Sequence, residues 1–196
     1  MRKILVTGAL GQIGSELVVE LRRLKGAENV IASDIRLPPG DLALDGPFEV
    51  LDATNARQAH DLVRRHDVGT IYHLAALLST RSEFTPITAH QVNVDGTLHL
   101  LEFSQREAES HGRPVTFIYP SSIAAYGLPD LETKARAGRV REDEFATPTT
   151  MYGCNKLYCE QLGRYYARHY KQLSAEPQAG RVDFRCVRFP GLISAM

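Results

Sequence analysis

The sequence contains few of the residues that mark metal-binding or disulfide-linked proteins. Its three cysteines, Cys154, Cys159 and Cys186, show no C-x-x-C spacing. An odd number without that spacing argues against a disulfide framework and a zinc knuckle, so a reducing cytoplasm is the predicted location. The seven histidines show neither H-x-x-x-H nor H-E-x-x-H spacing, and no metal site is therefore predicted.

The chain also lacks an excess of charge of either sign and any long apolar run. Lysine and arginine total 23, and so do aspartate and glutamate. This balance gives no reason to expect a nucleic acid or an anionic membrane surface as partner. The apolar run at the N-terminus, MRKILVTGAL, is short and contains Gly8, so neither a signal peptide nor a membrane span is expected.

Short runs rich in β-branched residues alternate with helical patterns along the whole chain. At 196 residues and 43% hydrophobic, the sequence is predicted to form one domain over residues 1–196. The predicted strands are 3–7, 29–33, 48–52, 70–74, 115–120 and 182–189, and the predicted helices are 15–24, 56–65, 88–110 and 151–172. Such alternation favours an α/β fold with a doubly wound parallel sheet and helices on both faces. Ligands in these folds bind beyond the carboxyl ends of the strands.

Three glycines follow the first predicted strand and open the first helix. In LVTGALGQIGSELV, Gly8, Gly11 and Gly14 recur every three residues. Glycine permits a tight turn and a close backbone approach, and a helix N-terminus offers N–H groups to a pyrophosphate. In this strand–turn–helix setting the pattern predicts a dinucleotide site.

An acid at the end of the second strand indicates which dinucleotide is bound. Asp34 lies 20 residues after Gly14, where a carboxylate can accept hydrogen bonds from a ribose diol and would repel a 2′-phosphate. NAD is therefore predicted as the cofactor in preference to NADP, although Arg36 stands close by and keeps the second possibility open.

A tyrosine and a lysine stand four residues apart in TTMYGCNKLYCEQ. Tyr152 and Lys156 would lie one above the other on a helical face, where both could act on one small molecule. The spacing alone is weak evidence. The preceding segment, 127–148, mixes both charges with prolines and glycines, and it is interpreted either as a solvated surface loop or as a partial cover of the active site.

Five motifs occur in order along the chain: the G-x-x-G-x-x-G run, HLAA, VNVDGT, PSSIAAYG and the Tyr152/Lys156 pair. Together they resemble the extended short-chain dehydrogenase/reductase family, also described as NAD-dependent epimerases and dehydratases. The resemblance implies a Rossmann-type domain that holds NAD and a catalytic trio of Ser122, Tyr152 and Lys156. In this interpretation the phenol accepts a hydroxyl proton, and its pKa is lowered by Lys156 and by the positive nicotinamide.

The same resemblance implies further contacts. Asp52 would meet the adenine amino group, and Asn93 would support a helix kink and a proton path to Lys156, although a purely structural role for Asn93 is equally compatible. The complete implied set of cofactor contacts is Gly8, Gly11, Gln12, Ile13, Gly14, Asp34, Arg36, Asp52, Ala53, Leu74, Ala75, Ala76, Asn93, Tyr152, Lys156 and Phe189.

Within this family, stretches such as VIASDIR, TTMYG and RFPGLIS are similar to the short-chain-type L-threonine 3-dehydrogenases. That similarity implies oxidation of L-threonine to 2-amino-3-oxobutyrate, with Ser79, Ser122, Thr150 and Tyr152 near the substrate. A nucleotide-sugar epimerase or dehydratase, or a sugar-acid dehydrogenase, is the alternative, because these enzymes share the same core.

Members of this family continue well past RFPG into a substrate-binding lobe, whereas this sequence ends at Met196. The C-terminal substrate lobe is therefore expected to be largely absent. Two interpretations stay open at this point: a fragment of a longer enzyme, or an NAD-binding module without catalysis. The resemblance also implies a homodimer built on the 151–172 and 88–110 helices.

Overall fold

Six strands form one parallel sheet in a computed structural model that describes residues 2–38, 45–176 and 179–191. They are β1 (Lys3–Thr7), β2 (Val30–Asp34), β3 (Phe48–Val50), β4 (Val68–His73), β5 (Val115–Ser122) and β6 (Val182–Phe189). Their spatial order is β3-β2-β1-β4-β5-β6, and each neighbouring pair is parallel. This order reverses between β1 and β4, the point at which open α/β sheets bind ligands. The predicted doubly wound fold is confirmed.

Seven α-helices connect these strands in the described part of the chain. They are α1 (Gln12–Lys25), α2 (Ala56–Arg65), α3 (Ser79–Phe84), α4 (Pro86–His90), α5 (Gly96–His111), α6 (Leu131–Ala137) and α7 (Met151–Arg168). Short 3-10 turns cover Ala27–Asn29 and Ile123–Ala125, and a π-helical turn covers Gln91–Asp95.

Helices cover both faces of the sheet because strand side chains alternate between them. Leu5 and Ile31 belong to the larger core cluster, into which α2, α5 and α7 also pack. Their strand neighbours Val6 and Ala32 belong to a second cluster, into which α1 packs through Val18. The sheet therefore forms a central layer between helices, and its strands β1 and β2 are the most completely buried.

The helix predicted over 88–110 is longer and less regular in the structure. It begins at Pro86, contains the π-helical turn over 91–95 and ends at His111. Proline is favoured in the first turn of a helix, and here it separates α4 from α3, a helix that the sequence analysis did not predict. A π-helical turn leaves no periodic signal in so short a segment.

Two predictions near the C-terminal part of the chain were also wrong in extent. The helix predicted over 151–172 ends at Arg168, after which Tyr170 turns back and stacks on Tyr166 with ring centres 5.2 Å apart. The segment 127–148 contains α6, whose first turn is capped by Asp130 accepting a hydrogen bond from the Thr133 amide at 2.6 Å. None of the residues of α6 is buried, so the segment contains one exposed helix.

Candidate functional site

Two adjoining cavities open over the carboxyl ends of the strands and share the residues Gly8, Gly11, Leu74 and Ala76. The first, here called the tyrosine half, has a volume of about 280 Å³ and is lined also by Gln12, Ile13, Gly14, Leu78, Pro120, Ser121, Ser122, Tyr152, Lys156, Phe189 and Pro190. The second, the aspartate half, has a volume of about 260 Å³ and is lined also by Asp34, Ile35, Arg36, Leu51, Asp52, Ala53, Ala75, Leu77 and Val92. Together they form one elongated cleft across the switch point of the sheet.

The glycine-rich turn forms the part of the cleft that both halves share. Gly8 has a φ of 67°, and a Cβ there would lie 2.7 Å from the Ala75 nitrogen. A Cβ on Gly14 would lie 2.2 Å from the Gly8 carbonyl oxygen. The turn and the helix can therefore lie this close only with glycine at both positions. Gly11 is the N-cap of α1, and the first-turn N–H groups of a helix have no intrahelical partner. This turn is therefore built to receive an anion.

Two carboxylates line the aspartate half. Asp34, 8% exposed, accepts hydrogen bonds from the Leu10 amide at 3.1 Å and from the Arg36 amide and Nε at 3.1 and 3.2 Å. Asp52 accepts from the Thr54 amide and hydroxyl at 2.9 and 2.7 Å. The ion pair with Arg36 partly offsets the negative charge of Asp34, because the guanidinium lies at the same end of the cleft.

All three residues of the predicted catalytic trio line the tyrosine half. Ser122 ends β5, and its Oγ accepts a hydrogen bond from the Ala124 amide at 3.1 Å. Tyr152 lies in the first turn of α7, with Lys156 one turn further along. The Nζ of Lys156 donates to the Pro120 carbonyl oxygen at 2.7 Å and lies 5.5 Å from the ring centre of Tyr152. The fold thus brings together side chains that lie 30 and more residues apart.

The start of α7 explains how Tyr152 reaches this position. Thr150 is the N-cap and accepts a hydrogen bond from the Gly153 amide at 3.0 Å, while Glu83 of α3 accepts one from the Met151 amide at 2.6 Å. A Cβ on Gly153 would lie 2.1 Å from the Ala124 carbonyl oxygen. Glycine directly after the tyrosine therefore lets α7 touch the turn that follows Ser122. The sequence analysis missed this role, although the Tyr-Gly dipeptide was visible.

Burial dominates the ionisation of the tyrosine–lysine pair. Desolvation raises the pKa of Tyr152 and lowers the pKa of Lys156 to about 8. The sequence analysis predicted a lowered phenol pKa from two cations, Lys156 and the nicotinamide. In the chain by itself the pKa of Tyr152 is raised rather than lowered. Desolvation of the phenol outweighs the attraction of the Lys156 ammonium, which interacts mainly with the Pro120 carbonyl oxygen.

Asn93 does not belong to the residues that line either half of the cleft, as described above. Its side chain accepts a hydrogen bond from the Leu77 amide at 2.8 Å and donates to the Leu77 carbonyl at 3.1 Å and to Asn155 Oδ1 at 3.3 Å. Its backbone carbonyl accepts from the Thr97 hydroxyl at 2.6 Å. These bonds hold the π-helical turn, so Asn93 supports an irregularity in this helix, and its place in a proton path stays a prediction.

The two polar residues predicted only for substrate binding are not among the residues that line either half of the cleft. Ser79 is the exposed first residue of α3, and the Thr150 hydroxyl is engaged as the cap of α7. Leu78, the residue before Ser79, lines the tyrosine half instead. Apolar residues that also line the cleft, and that no sequence motif marked, are Ile35, Leu51, Leu77, Leu78, Val92 and Pro120.

A hydrogen-bonded chain beneath the cleft fixes the tautomer of His73. The Ala75 amide donates to the Thr7 hydroxyl, which lies 2.8 Å from His73 Nδ1, and His73 Nε2 lies 3.1 Å from the Thr97 hydroxyl. Because the single hydroxyl proton of Thr97 goes to the Asn93 carbonyl, Nε2 must carry the ring proton and Nδ1 must accept. His73 is therefore neutral, and burial lowers its pKa to about 3.

This histidine predicts a loss of stability in mild acid. The unfolded chain takes up a proton near the ordinary pKa of histidine, about 6.5, whereas folded His73 does so only near 3, so the free energy of unfolding decreases as the pH falls through this window. Between about pH 7.5 and about pH 5 the expected decrease from His73 is about 2 kcal/mol. Denaturant unfolding at fixed pH measures it, and His73→Gln should flatten the slope. Parallel pH dependences for the two proteins would contradict the assignment.

The described residues, 2–38, 45–176 and 179–191, contain no candidate membrane-spanning helix and no candidate metal-binding cluster. No helix there combines the length and the apolar character needed to cross a membrane. No group of three or more histidine, cysteine, aspartate or glutamate side chains there is arranged to hold a metal ion.

The geometry of the cleft fits a dinucleotide of the NAD type. The helix N-terminus and the glycine turn offer N–H groups for a pyrophosphate at the middle of the cleft. Asp34 offers a carboxylate to a ribose at one end, and the tyrosine half offers space beside Ser122 and Tyr152 at the other. Apart from Asn93, all the predicted cofactor contacts line one half or the other.

Comparisons with known proteins agree with this geometry. The family model described as "NAD dependent epimerase/dehydratase family" matches residues 4–189. The chain is 43% identical over 195 residues to an uncharacterized epimerase/dehydratase of Staphylococcus aureus, a match that covers 99% of this chain and 54% of that protein. The chain thus spans about half the length of the curated relatives it matches.

Two solved structures illustrate the range of similar proteins. An L-threonine dehydrogenase from Clostridium difficile superposes with a TM-score of 0.82 at 41% identity, covering 99% of this chain and 55% of that one. A UDP-glucose 4-epimerase from Brucella ovis in complex with NAD superposes with a TM-score of 0.70 at 25% identity, covering 87% of this chain and 49% of that one. The predicted cofactor, NAD, is thereby confirmed, and the chain belongs to the NAD dependent epimerase/dehydratase family.

Proposed function

We propose that the protein containing this chain oxidises the secondary alcohol of L-threonine to give 2-amino-3-oxobutyrate, with NAD as hydride acceptor. The observation that carries this proposal is that Ser122, Tyr152 and Lys156 line the same half of the cleft, next to the glycine-rich turn. The similarity to a dehydrogenase described as acting on L-threonine supports the choice of substrate.

The chemistry follows from what each side chain can do. NAD, when bound, supplies the hydride acceptor. The Tyr152 phenolate accepts the hydroxyl proton of the substrate as general base. Ser122 already accepts a hydrogen bond from the Ala124 amide, so its own proton is available for the reacting oxygen. Lys156, anchored on the Pro120 carbonyl, places a positive charge beside the phenol and favours its ionised form.

Epimerisation or dehydration of a nucleotide sugar is the second candidate function. The family description and the similarity to a UDP-glucose 4-epimerase favour it, and the same three side chains would serve that chemistry. A nucleoside diphosphate sugar needs a larger substrate pocket than an amino acid, so the two candidates differ in the substrates that they accept.

We infer in addition a homodimer in the cytoplasm. Apolar and aromatic side chains are exposed on neighbouring helices, with Phe84 of α3 at 82%, Ile87 of α4 at 76% and Tyr158 of α7 at 51% exposure. Aromatic residues are enriched at interfaces, and burying this surface against a second copy would remove it from water. The three free cysteines fit a reducing compartment.

The test is an assay of the complete gene product for NADH formation. We expect turnover with L-threonine and NAD, slower turnover with NADP because of Asp34, and little with L-serine, which lacks the secondary alcohol. No activity toward L-threonine together with conversion of a UDP- or GDP-sugar would favour the second candidate. If the protein binds NAD but turns over neither L-threonine, sugar acids nor nucleotide sugars, it is an NAD-binding module without catalysis.

A further inference from the structure

A buried ion pair stands behind the tyrosine half of the cleft. Arg188 of β6 donates from Nε to Glu160 Oε1 at 2.8 Å and from Nη2 to Oε2 at 2.8 Å, and the two side chains are 8% and 3% exposed. Both contacts are charge-assisted, and the two parallel bonds fix the orientation of the guanidinium. Arg188 also donates to the Glu142 carbonyl at 3.0 Å and stacks on the Tyr126 ring at 4.4 Å.

A serine completes this group of interacting side chains. The Ser121 hydroxyl, buried at the end of β5, donates to Glu160 Oε1 at 2.6 Å. Burial opposes ionisation of Glu160, but the hydrogen bonds from Arg188 and Ser121 outweigh it and lower the pKa of the carboxyl group. Buried ion pairs contribute little net stability compared with apolar packing, so stability alone is a weak reason for this arrangement.

The position of the three residues in the chain suggests another role. Glu160 lies one helical turn after Lys156 on α7, Ser121 directly precedes Ser122, and Arg188 directly precedes Phe189. Ser121 itself lines the tyrosine half, and Glu160 and Arg188 lie one helical turn and one residue, respectively, from residues that do. The carboxylate of Glu160 on α7 therefore contacts both strands, β5 through Ser121 and β6 through Arg188, whose ends line the tyrosine half.

We propose that Glu160 is a positioning residue: through Ser121 and Arg188 it holds α7 at a set distance from the ends of β5 and β6, so that Tyr152 and Ser122 meet the same substrate oxygen. This inference rests on the proposed oxidation of an alcohol. Misplacement of reacting groups by about 1 Å can cost about 100-fold in rate, which makes rate the sensitive readout.

The experiment compares Glu160→Gln and Ser121→Ala with Asp183→Asn in the complete gene product. Asp183 pairs with Arg185 on the same strand β6 but near its other end, so its variant is a matched control for loss of an aspartate–arginine pair. Assays run well below each melting temperature, so that every protein is folded. We expect Glu160→Gln to lower kcat by about 100-fold with KM for NAD within about threefold, and Asp183→Asn to change neither.

Two further measurements separate positioning from simple destabilisation. The double variant Glu160→Gln/Ser121→Ala should be no slower than Glu160→Gln, because both changes break one unit. Hydrogen exchange should increase for the amides around Ser122 and Phe189 in Glu160→Gln and not in Asp183→Asn. If Glu160→Gln does not fold, Ser121→Ala alone should show both effects in smaller measure.

The outcomes distinguish this inference from the proposed function. Unchanged kcat in Glu160→Gln, with only a lower melting temperature, would overturn the positioning role. If the unsubstituted protein turns over none of the substrates tested, the proposed function fails. Hydrogen exchange then tests the positioning role by itself, and no change around Ser122 and Phe189 in Glu160→Gln would overturn the inference as well.

Discussion

Replacement of Tyr152 by phenylalanine is expected to lower kcat by roughly 10²–10⁴-fold, the usual contribution of a general base. The substitution removes only the hydroxyl group. The ring, which is 9% exposed, keeps its packing, and Lys156 keeps its hydrogen bond to the Pro120 carbonyl oxygen. The affinity for NAD should therefore change little, and the loss should appear almost entirely in the chemical step.

Steady-state kinetics with the best substrate, together with a titration of NADH binding, measure this effect. Tyr158→Phe is the matched control, because Tyr158 lies on the same helix and is not among the residues that line the cleft. We expect the control to retain full activity. A Tyr152→Phe protein with undiminished kcat would refute the proton-transfer role of the phenol, and equal losses in both variants would point to a general effect on α7.

Gly14→Ala is expected to have the second largest effect, on cofactor binding. The added Cβ would lie 2.2 Å from the Gly8 carbonyl oxygen and 2.8 Å from the Ala9 Cα, and both are backbone atoms that cannot swing aside. Overpacking of this kind costs about 1–3 kcal/mol. Because the strain is relieved by moving the turn away from the N-terminus of α1, we expect the Kd for NADH to rise by roughly 10–100-fold.

Fluorescence titration with NADH and the shift of the melting temperature on adding NAD measure this change. Ser15→Ala is the control, since Ser15 is the next residue on the helix and its hydroxyl donates to the Gln12 carbonyl oxygen, at 3.3 Å, in an exposed hydrogen bond. The control should bind NADH as the unsubstituted protein does. An unchanged Kd in Gly14→Ala would mean that the close contact between turn and helix is not needed for binding.

Several features of the fold and the site follow from local rules that a sequence displays. The alternation of β-branched runs with helical patterns predicted all six strands to within a few residues at their ends. The glycine spacing predicted the turn at Gly8, Gly11 and Gly14, and a Cβ at Gly8 or Gly14 would clash with backbone atoms. The four-residue spacing predicted that Tyr152 and Lys156 share a helical face, and both line the cleft.

Features that depend on several distant segments at once were not predictable in this way. The contacts of Glu160 with Ser121 and Arg188 join residues 39 and 28 positions apart, and nothing in the local pattern pairs them. The π-helical turn depends on hydrogen bonds between the Asn93 side chain and the backbone of Leu77, in the loop after β4. The close packing of Gly153 on Ala124 likewise appears only when α7 is placed against the end of β5.

The sequence by itself determined the parallel α/β fold, the glycine turn and the identity of the side chains available for chemistry, because each depends on the conformational preferences and spacing of neighbouring residues. Only the tertiary structure decided the ionisation of those side chains and what holds them in place. Burial raises the pKa of Tyr152, lowers that of Lys156 to about 8 and keeps His73 neutral. Desolvation and hydrogen bonding are set by distances between segments, which a linear pattern does not contain.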